Sequence, residues 1–321
     1  MSTTRPLRVA FLGSGAFGVP TLRAMRERFE IPLIVSQPDR PAGRGRETTP
    51  TPISAEAEQL GRDGPQLLRV QDINTPEVLS TFQEVKPDAL LVIAFGQKLG
   101  PELLKNFFAI NLHASLLPRW RGSAPINRAM MAGDSTTGVS VISLASRMDA
   151  GDLHAVRETP IEPQETAGEL HDRLAELGIS PVEEVLERYQ SGSVQSQAQD
   201  ESAVTQASKL SKREATIRFD QPAELLRARV HGLTPWPGCD VLIGDTKTLR
   251  LLRVQSEESQ IASDCVPGTM FQDGLLACSE GALRLLEVQA PGKSPMSWEA
   301  FQRGHRFELG VLFKQIPERI A

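Results

Sequence analysis

Cysteine is scarce. Cys239, Cys265 and Cys278 are the only three in 321 residues, an odd number with no CxxC pair. A disulfide scaffold and a thiolate zinc site are therefore not expected, and reduced thiols in a cytoplasmic protein are. Long apolar runs are missing as well. No stretch approaches the ~18 residues that a membrane span needs, and the polar start, with Arg5 and Arg8, does not read as a signal peptide. Positive charge is not in excess. Lys and Arg total 35 against 40 Asp and Glu, a net charge of −5, which excludes a globally basic nucleic-acid binder but not local basic loops. The five histidines form neither an HxxxH nor an HExxH spacing, so no metal site is expected. No internal repeat or low-complexity tract interrupts the chain, whose length suits two domains.

What is present is an alternation of short apolar runs and helical patterns. Residues 7–12, 33–35, 67–70, 89–95, 109–113 and 138–144 read as strands, and 16–29, 76–85, 101–107 and 124–132 as helices. The run 89–95 (ALLVIAF) is uninterrupted, as expected of a strand covered on both faces. Thr166 and Glu169 fit a capping box that opens a helix through Leu177. This order predicts an α/β fold over residues 1–190: a Rossmann-like, mostly parallel sheet with helices on both faces. Residues 191–207, rich in Ser, Gln and Ala, read as a linker. Residues 208–321 are β-rich, with apolar runs 241–243 and 248–254 around Gly244-Asp245, and 275–278 and 283–288 around Glu280-Gly281. With helices expected at 222–230 and 297–304, a smaller C-terminal β-barrel of OB-like type is predicted.

One glycine pattern misleads. Gly13, Gly15 and Gly18 match GxGxxG between a strand and a helix, the dinucleotide-binding fingerprint. That fingerprint also needs an acidic residue at the end of the second strand. Here the strand runs into Val35-Ser36-Gln37-Pro38, and Asp39 lies beyond the proline. Glycines that permit a tight turn are the preferred reading, and NAD is not expected.

The chemistry gathers further on. Asn111 and His113 are two apart on a predicted strand and share a face. They sit near its C-terminal end, where open α/β sheets place ligands. The loop from Ser115 follows, and Asp149 comes after the next predicted strand, so an amide, an imidazole and a carboxylate can converge. No Ser or Cys nucleophile is paired with them in an obvious motif. Direct attack on an electrophilic carbonyl fits better than a covalent intermediate. A lone NxH is common, and by itself it is more often structural than catalytic.

The whole string from Asn111 to Ile126 (NLHASLLPRWRGSAPI) resembles the signature of the folate-dependent formyltransferases. The resemblance implies that Asn111, His113 and Asp149 form a catalytic triad. It also implies that Ser115, Leu116, Leu117 and Pro118 lie on the folate, and that Phe95 and Gly96 help wall the pterin. The co-substrate is then 10-formyltetrahydrofolate, with no metal. The Asp149 segment (Arg147-Met148-Asp149-Ala150-Gly151) departs from the family's usual form, and Asp152 is the alternative position. In the reaction so implied, an amine attacks the formyl carbon. Asn111 and a protonated His113 stabilise the oxyanion, at ~2.7–4 kcal/mol per donor. Asp149 keeps His113 charged and oriented, or takes the proton from the attacking nitrogen.

Two further segments point to one branch of that family, the one whose acceptor is initiator methionyl-tRNA. Residues 37–46 (QPDRPAGRGR) look like its basic loop, and Ser208–Lys212, Thr234–Gly238 and Gln289–Lys293 resemble its C-terminal domain. The likeness runs from about residue 7 to about residue 313. It implies tRNA contacts from Arg40, Arg44 and Arg46 and from Lys209, Lys212 and Arg213, with further basic residues at Arg303, His305 and Arg306. A monomer is expected. The alternatives within the family are a formyltransferase for an amino-sugar nucleotide and a 10-formyltetrahydrofolate hydrolase. The arginine-rich loop speaks against both.

Overall fold

In the computed structural model, residues 5–42, 47–61, 64–258, 265–272, 274–305 and 307–316 are described. They fall into two compact units. The first takes the chain through Gly122, with Gly138–Thr159 and His171–Gln206; the second takes Ser123–Thr137, Pro160–Leu170 and the chain from Ala207 on. The division therefore does not fall at one point of the sequence.

The first unit is built on seven strands: β1 (Arg8–Gly13), β2 (Glu30–Ser36), β3 (Gln66–Arg69), β4 (Ala89–Ile93), β5 (Phe108–His113), β6 (Thr136–Ser143) and β7 (Leu153–Pro160). Their order is β7-β6-β5-β4-β1-β2-β3. The pairs among β1 to β5 are parallel, and β6 runs antiparallel to β5, with Ser140 opposite His113. All five residues of β4 are buried, which is why that run shows no polar alternation. Strand order reverses at the junction of β1 and β4. A crevice opens beyond the C-terminal ends of strands at such a junction. Helices α1 (Val19–Arg28), α2 (Pro52–Glu58), α3 (Pro76–Val85) and α4 (Pro101–Asn106) each carry proline in the first turn, where no amide partner is lost.

The three glycines are taken up by the protein's own packing. A Cβ on Gly13 would lie 2.7 Å from the Phe11 ring and 2.8 Å from the Ile93 carbonyl oxygen. The amides of Ser14 and Gly15 both donate to the Ala94 carbonyl, at 3.3 and 3.2 Å. These glycines bring β1 against β4, and the amides that would cradle a pyrophosphate are already used.

Three elements go beyond what the sequence predicts in this unit. Helix α2 is one short element, capped by Thr51, which accepts from the Ser54 amide at 3.1 Å. Strand β7 carries no buried residue and so has no apolar signature. After α6 (Ala167–Leu177), Gly178 does not end the helical region but leads into α7 (Ile179–Gln190). Of residues 191–207, expected as a linker, those through Gln206 belong to the first unit and are hydrogen-bonded into it. Leu153 and Gln197 exchange two backbone bonds of 2.8 Å, and the Arg121 amide donates to Thr205 at 3.0 Å. This attachment is polar, so hydrophobic periodicity could not reveal it.

The second unit contains α5 (Pro125–Met131), α8 (Ala223–Gly232) and a curled antiparallel sheet of β8 (Cys239–Ile243), β9 (Lys247–Glu257), β10 (Met270–Gln272), β11 (Leu275–Ala277), β12 (Ala282–Gln289), β13 (Met296–Ser297) and β14 (Phe313–Gln315), with helix α9 (Trp298–Gly304). Its ends meet: Met270 donates to Val311 at 2.9 Å and Phe313 to Gly268 at 2.8 Å, around an isolated bridge between Thr269 and Leu312. The expected small barrel is thus present, filled by Leu226, Val230, Val241, Leu251, Leu283 and Phe313. The expected capping box forms here too, with Thr166 donating to Glu169 at 2.8 Å. Among the described residues, no helix is long and apolar enough to cross a membrane.

Candidate active site

Strand β5 alternates. Ile110 and Leu112 are buried in the core, which turns Asn111 and His113 to the other face. His113 is buried, and its Nε2–H donates to the Trp120 carbonyl oxygen at 2.9 Å. A carbonyl only accepts, so this contact fixes the proton on Nε2. Its Nδ1 faces Asp149 Oδ2 at 3.7 Å, ion-pair range for a protonated ring and too long for a hydrogen bond. Asp149 Oδ2 also accepts the Gly122 amide at 2.9 Å. Asp152 instead accepts from the Ser196 hydroxyl at 3.3 Å, so the carboxylate facing His113 is Asp149. Asn111 is half-buried, opposite Val92 of β4, and its side-chain amide has no hydrogen-bond partner among the described residues.

The structure departs from the expectation for His113 in one respect. Its Nε2–H is committed to Trp120 and its Nδ1 turns to Asp149, so in this conformation the ring offers no free N–H to a substrate oxygen. The free donor is Asn111. The partners that sequence reasoning missed are backbone groups, the Trp120 carbonyl and the Gly122 amide, which leave no side-chain signature.

The loop after β5 is braced from β6. Ser140 Oγ donates to the Ser115 carbonyl at 2.7 Å and accepts the Leu117 amide at 3.1 Å. The Ser115 hydroxyl is spent on the Arg119 carbonyl at 2.7 Å, and Leu117 is buried, so Leu116 and Pro118 are the partly exposed members. Phe95 differs from expectation: its ring is 2% exposed and belongs to the core, so it cannot wall a ligand. What this position presents is backbone. Ala94 (φ 47°) and Gly96 (φ 77°) are exposed on either side, and the Phe95 carbonyl accepts from Gln37 Nε2 at 2.7 Å.

Of the expected tRNA-binding residues, Arg40 is exposed on a short ribbon formed by Arg40–Ala42 and Glu47–Thr49, and it donates to Gln37 Oε1. Arg44 and Arg46, between those strands, lie outside the described residues, as does Arg306. Lys209, Lys212 and Arg213 are exposed in the second unit. In the second unit, burial pushes the thiols of Cys239 and Cys278 up to about 12.

A free amide beside an imidazole–carboxylate pair stands at the C-terminal edge of an open α/β sheet. No Ser or Cys among the described residues is hydrogen-bonded to that imidazole. Such an arrangement can polarise a carbonyl and move a proton, the chemistry of a group transferase. Residues 7–186 match the family model for formyl transferases, and residues 209–306 match that for the formyl transferase C-terminal domain. The chain belongs to the formyl transferase family. It is 37% identical over 313 residues to a methionyl-tRNA formyltransferase of Geobacter metallireducens, covering 95% of this chain and 98% of that one. Two solved structures share the fold. HypX from Aquifex aeolicus, in complex with tetrahydrofolic acid, has a TM-score of 0.60 at 17% identity over 93% of this chain and 47% of that protein, so this chain spans about half its length. An N-formyltransferase from Helicobacter canadensis, in complex with folinic acid and dTDP-3-aminofucose, has a TM-score of 0.62 at 11% identity over 88% of this chain and 98% of that one.

Proposed function

We propose that this protein transfers the formyl group of 10-formyltetrahydrofolate to the α-amino group of initiator methionyl-tRNA, giving N-formylmethionyl-tRNA for translation initiation in the cytoplasm. The observation that carries the reading is likeness to a methionyl-tRNA formyltransferase across both units, at 37% identity over 95% of the chain. The residues fit a formyl donor: the unpartnered Asn111 amide lies on β5 next to β4, at the sheet edge where the exposed Ala94–Gly96 turn begins. The partly exposed Leu116 and Pro118 offer apolar surface to a flat ring.

When bound, 10-formyltetrahydrofolate supplies an electrophilic formyl carbon. Asn111 donates an amide N–H to the oxygen on which negative charge develops, worth roughly 2.7–4 kcal/mol of transition-state stabilisation. When doubly protonated, His113 keeps Nε2–H on Trp120 O, lies at ion-pair distance from Asp149 and lends its positive charge to that oxygen. Asp149 spends Oδ2 on the Gly122 amide, which leaves Oδ1 to take the proton from the attacking nitrogen, directly or through water; the formyl carbon–N10 bond then breaks, N10 receives a proton and tetrahydrofolate leaves. The first unit is the catalytic part and the second the tRNA-binding part, acting as a monomer. Lys209, Lys212 and Arg213 pair with phosphates, and the ribbon that carries Arg40 meets the acceptor end, together with Arg44 and Arg46.

The test incubates the enzyme with 10-formyltetrahydrofolate and initiator methionyl-tRNA, then identifies the amino acid released on deacylation. N-formylmethionine is expected. Tetrahydrofolate and formate formed without it would favour a hydrolase.

A further inference from the structure

The turn that carries Asp149 has little to hold it. Asp149 itself is left-handed, at φ 53°, a conformation that costs a non-glycine residue ~1–2 kcal/mol. Met148 is 74% exposed and gives the turn no apolar anchor. One long backbone bond closes it, Ala150 to Arg147 at 3.4 Å. Gly151 lies so close to β6 that a Cβ there would fall 1.7 Å from the Ser143 carbonyl oxygen.

Gln199 spans this turn from the segment that the sequence presents as a linker. Its Nε2 donates to the carbonyls of Asp149 (2.8 Å) and Gly151 (2.7 Å), using both amide hydrogens. Its Oε1 accepts from Nε (3.0 Å) and Nη2 (2.8 Å) of Arg121, whose guanidinium is buried. Arg121 in turn pairs with Glu201 at 3.0 Å, and Glu201 pairs with Arg147, the first residue of the turn, at 2.6 Å. An open series of side chains, Arg147–Glu201–Arg121–Gln199, thus runs from the start of the turn to the Asp149 and Gly151 carbonyls. The residue after Arg121 supplies the amide that holds the Asp149 carboxylate. The residue before it, Trp120, accepts from His113 and is tied by its own amide to Thr205 Oγ1 at 2.8 Å.

We infer that Gln199 is a positioning residue for Asp149, and that residues 197–205 are a working part of the catalytic unit. This rests on the reading that Asp149 acts in the reaction. Gln199 touches neither His113 nor Asn111 through any hydrogen bond, so its effect on turnover passes through the Asp149 turn. Every hydrogen-bonding position of its amide is engaged, and a methionine of similar length would release two carbonyls and the Arg121 fork at once.

The experiment measures kcat and KM for both substrates in wild type, Q199M, D149N and the double variant, with thermal unfolding of each. Q199M is expected to lower kcat about 10- to 100-fold while KM moves little, because a displacement near 1 Å costs that much at a reacting centre. In the D149N background Q199M should cost almost nothing more, since residues acting as a unit are non-additive. A Q199M enzyme with near wild-type kcat overturns the inference, and so do losses that multiply in the double variant. If Q199M does not fold, Q199N, which keeps the amide but is too short to reach both carbonyls, carries the same cycle. A D149N enzyme with wild-type kcat would instead overturn the role of Asp149 itself.

Discussion

Replacing Asn111 with alanine tests the division of labour at the site. The side chain is half-buried on the face of β5 opposite the core residues Ile110 and Leu112, and its amide has no partner among the described residues. Its removal breaks no hydrogen bond in the free protein, so thermal stability should change little. The transition state, by contrast, loses its free donor, and no second side-chain N–H replaces it, because His113 Nε2 stays on Trp120 at 2.9 Å. Loss of one such donor is worth ~2.7–4 kcal/mol, or about 10²–10³ in kcat. Steady-state formylation at saturating methionyl-tRNA, with KM for the formyl donor measured alongside, reads both quantities. Asn111→Asp keeps the shape but replaces the N–H donor with an anionic acceptor, and it should be at least as damaging. A near wild-type kcat in Asn111→Ala would refute the assignment. A raised KM with kcat intact would make Asn111 a binding residue only.

Asp149→Asn should lower kcat, whereas Asp152→Asn, whose carboxylate faces Ser196, should be mild; steady-state kinetics would expose the reverse order. His231 bears on stability. Burial, with Arg227 and Arg253 nearby, lowers its pKa from 6.5 to about 4, and its Nε2 accepts the Val254 amide at 3.1 Å. The unfolded chain takes up that proton first, so the contribution is complete above pH ~6.5 and is lost as pH falls toward 4, by at most roughly 3 kcal/mol. Urea unfolding from neutral to acidic pH should show this slope, and His231→Gln should remove it. Lys209→Ala and Lys212→Ala should weaken tRNA binding evenly and make its salt dependence shallower by ~0.7–0.9 for each phosphate no longer neutralised, as titrations at several salt concentrations would show.

The sequence was most legible where one physical signal dominated. The run in β4 is apolar because both faces are covered, and the period-two spacing of Asn111 and His113 reflects a strand with one side in the core. Legibility failed where the determinant is backbone or long-range. Strand β7 lies at the sheet edge with no buried residue, so nothing in its pattern alternates. The helix read through Leu177 is followed by Gly178, a place of close approach to Leu112: a Cβ there would lie 2.4 Å from that side chain, and the helical path continues beyond it. The family resemblance places Phe95 at the pterin, but its neighbours put the side chain in the core. The contacts of Gln199 join residues 48 and 78 positions apart, a separation that local composition does not encode.

Acceptor competition tests the central claim most directly. One reaction holds the enzyme, labelled 10-formyltetrahydrofolate and equal concentrations of initiator methionyl-tRNA, an elongator methionyl-tRNA and an amino-sugar nucleotide. The label in each product gives the ratio of kcat/KM values. The account predicts that label accumulates on the methionine of the initiator tRNA, with little on the other two. Label chiefly on the amino sugar, or released as formate, would contradict it.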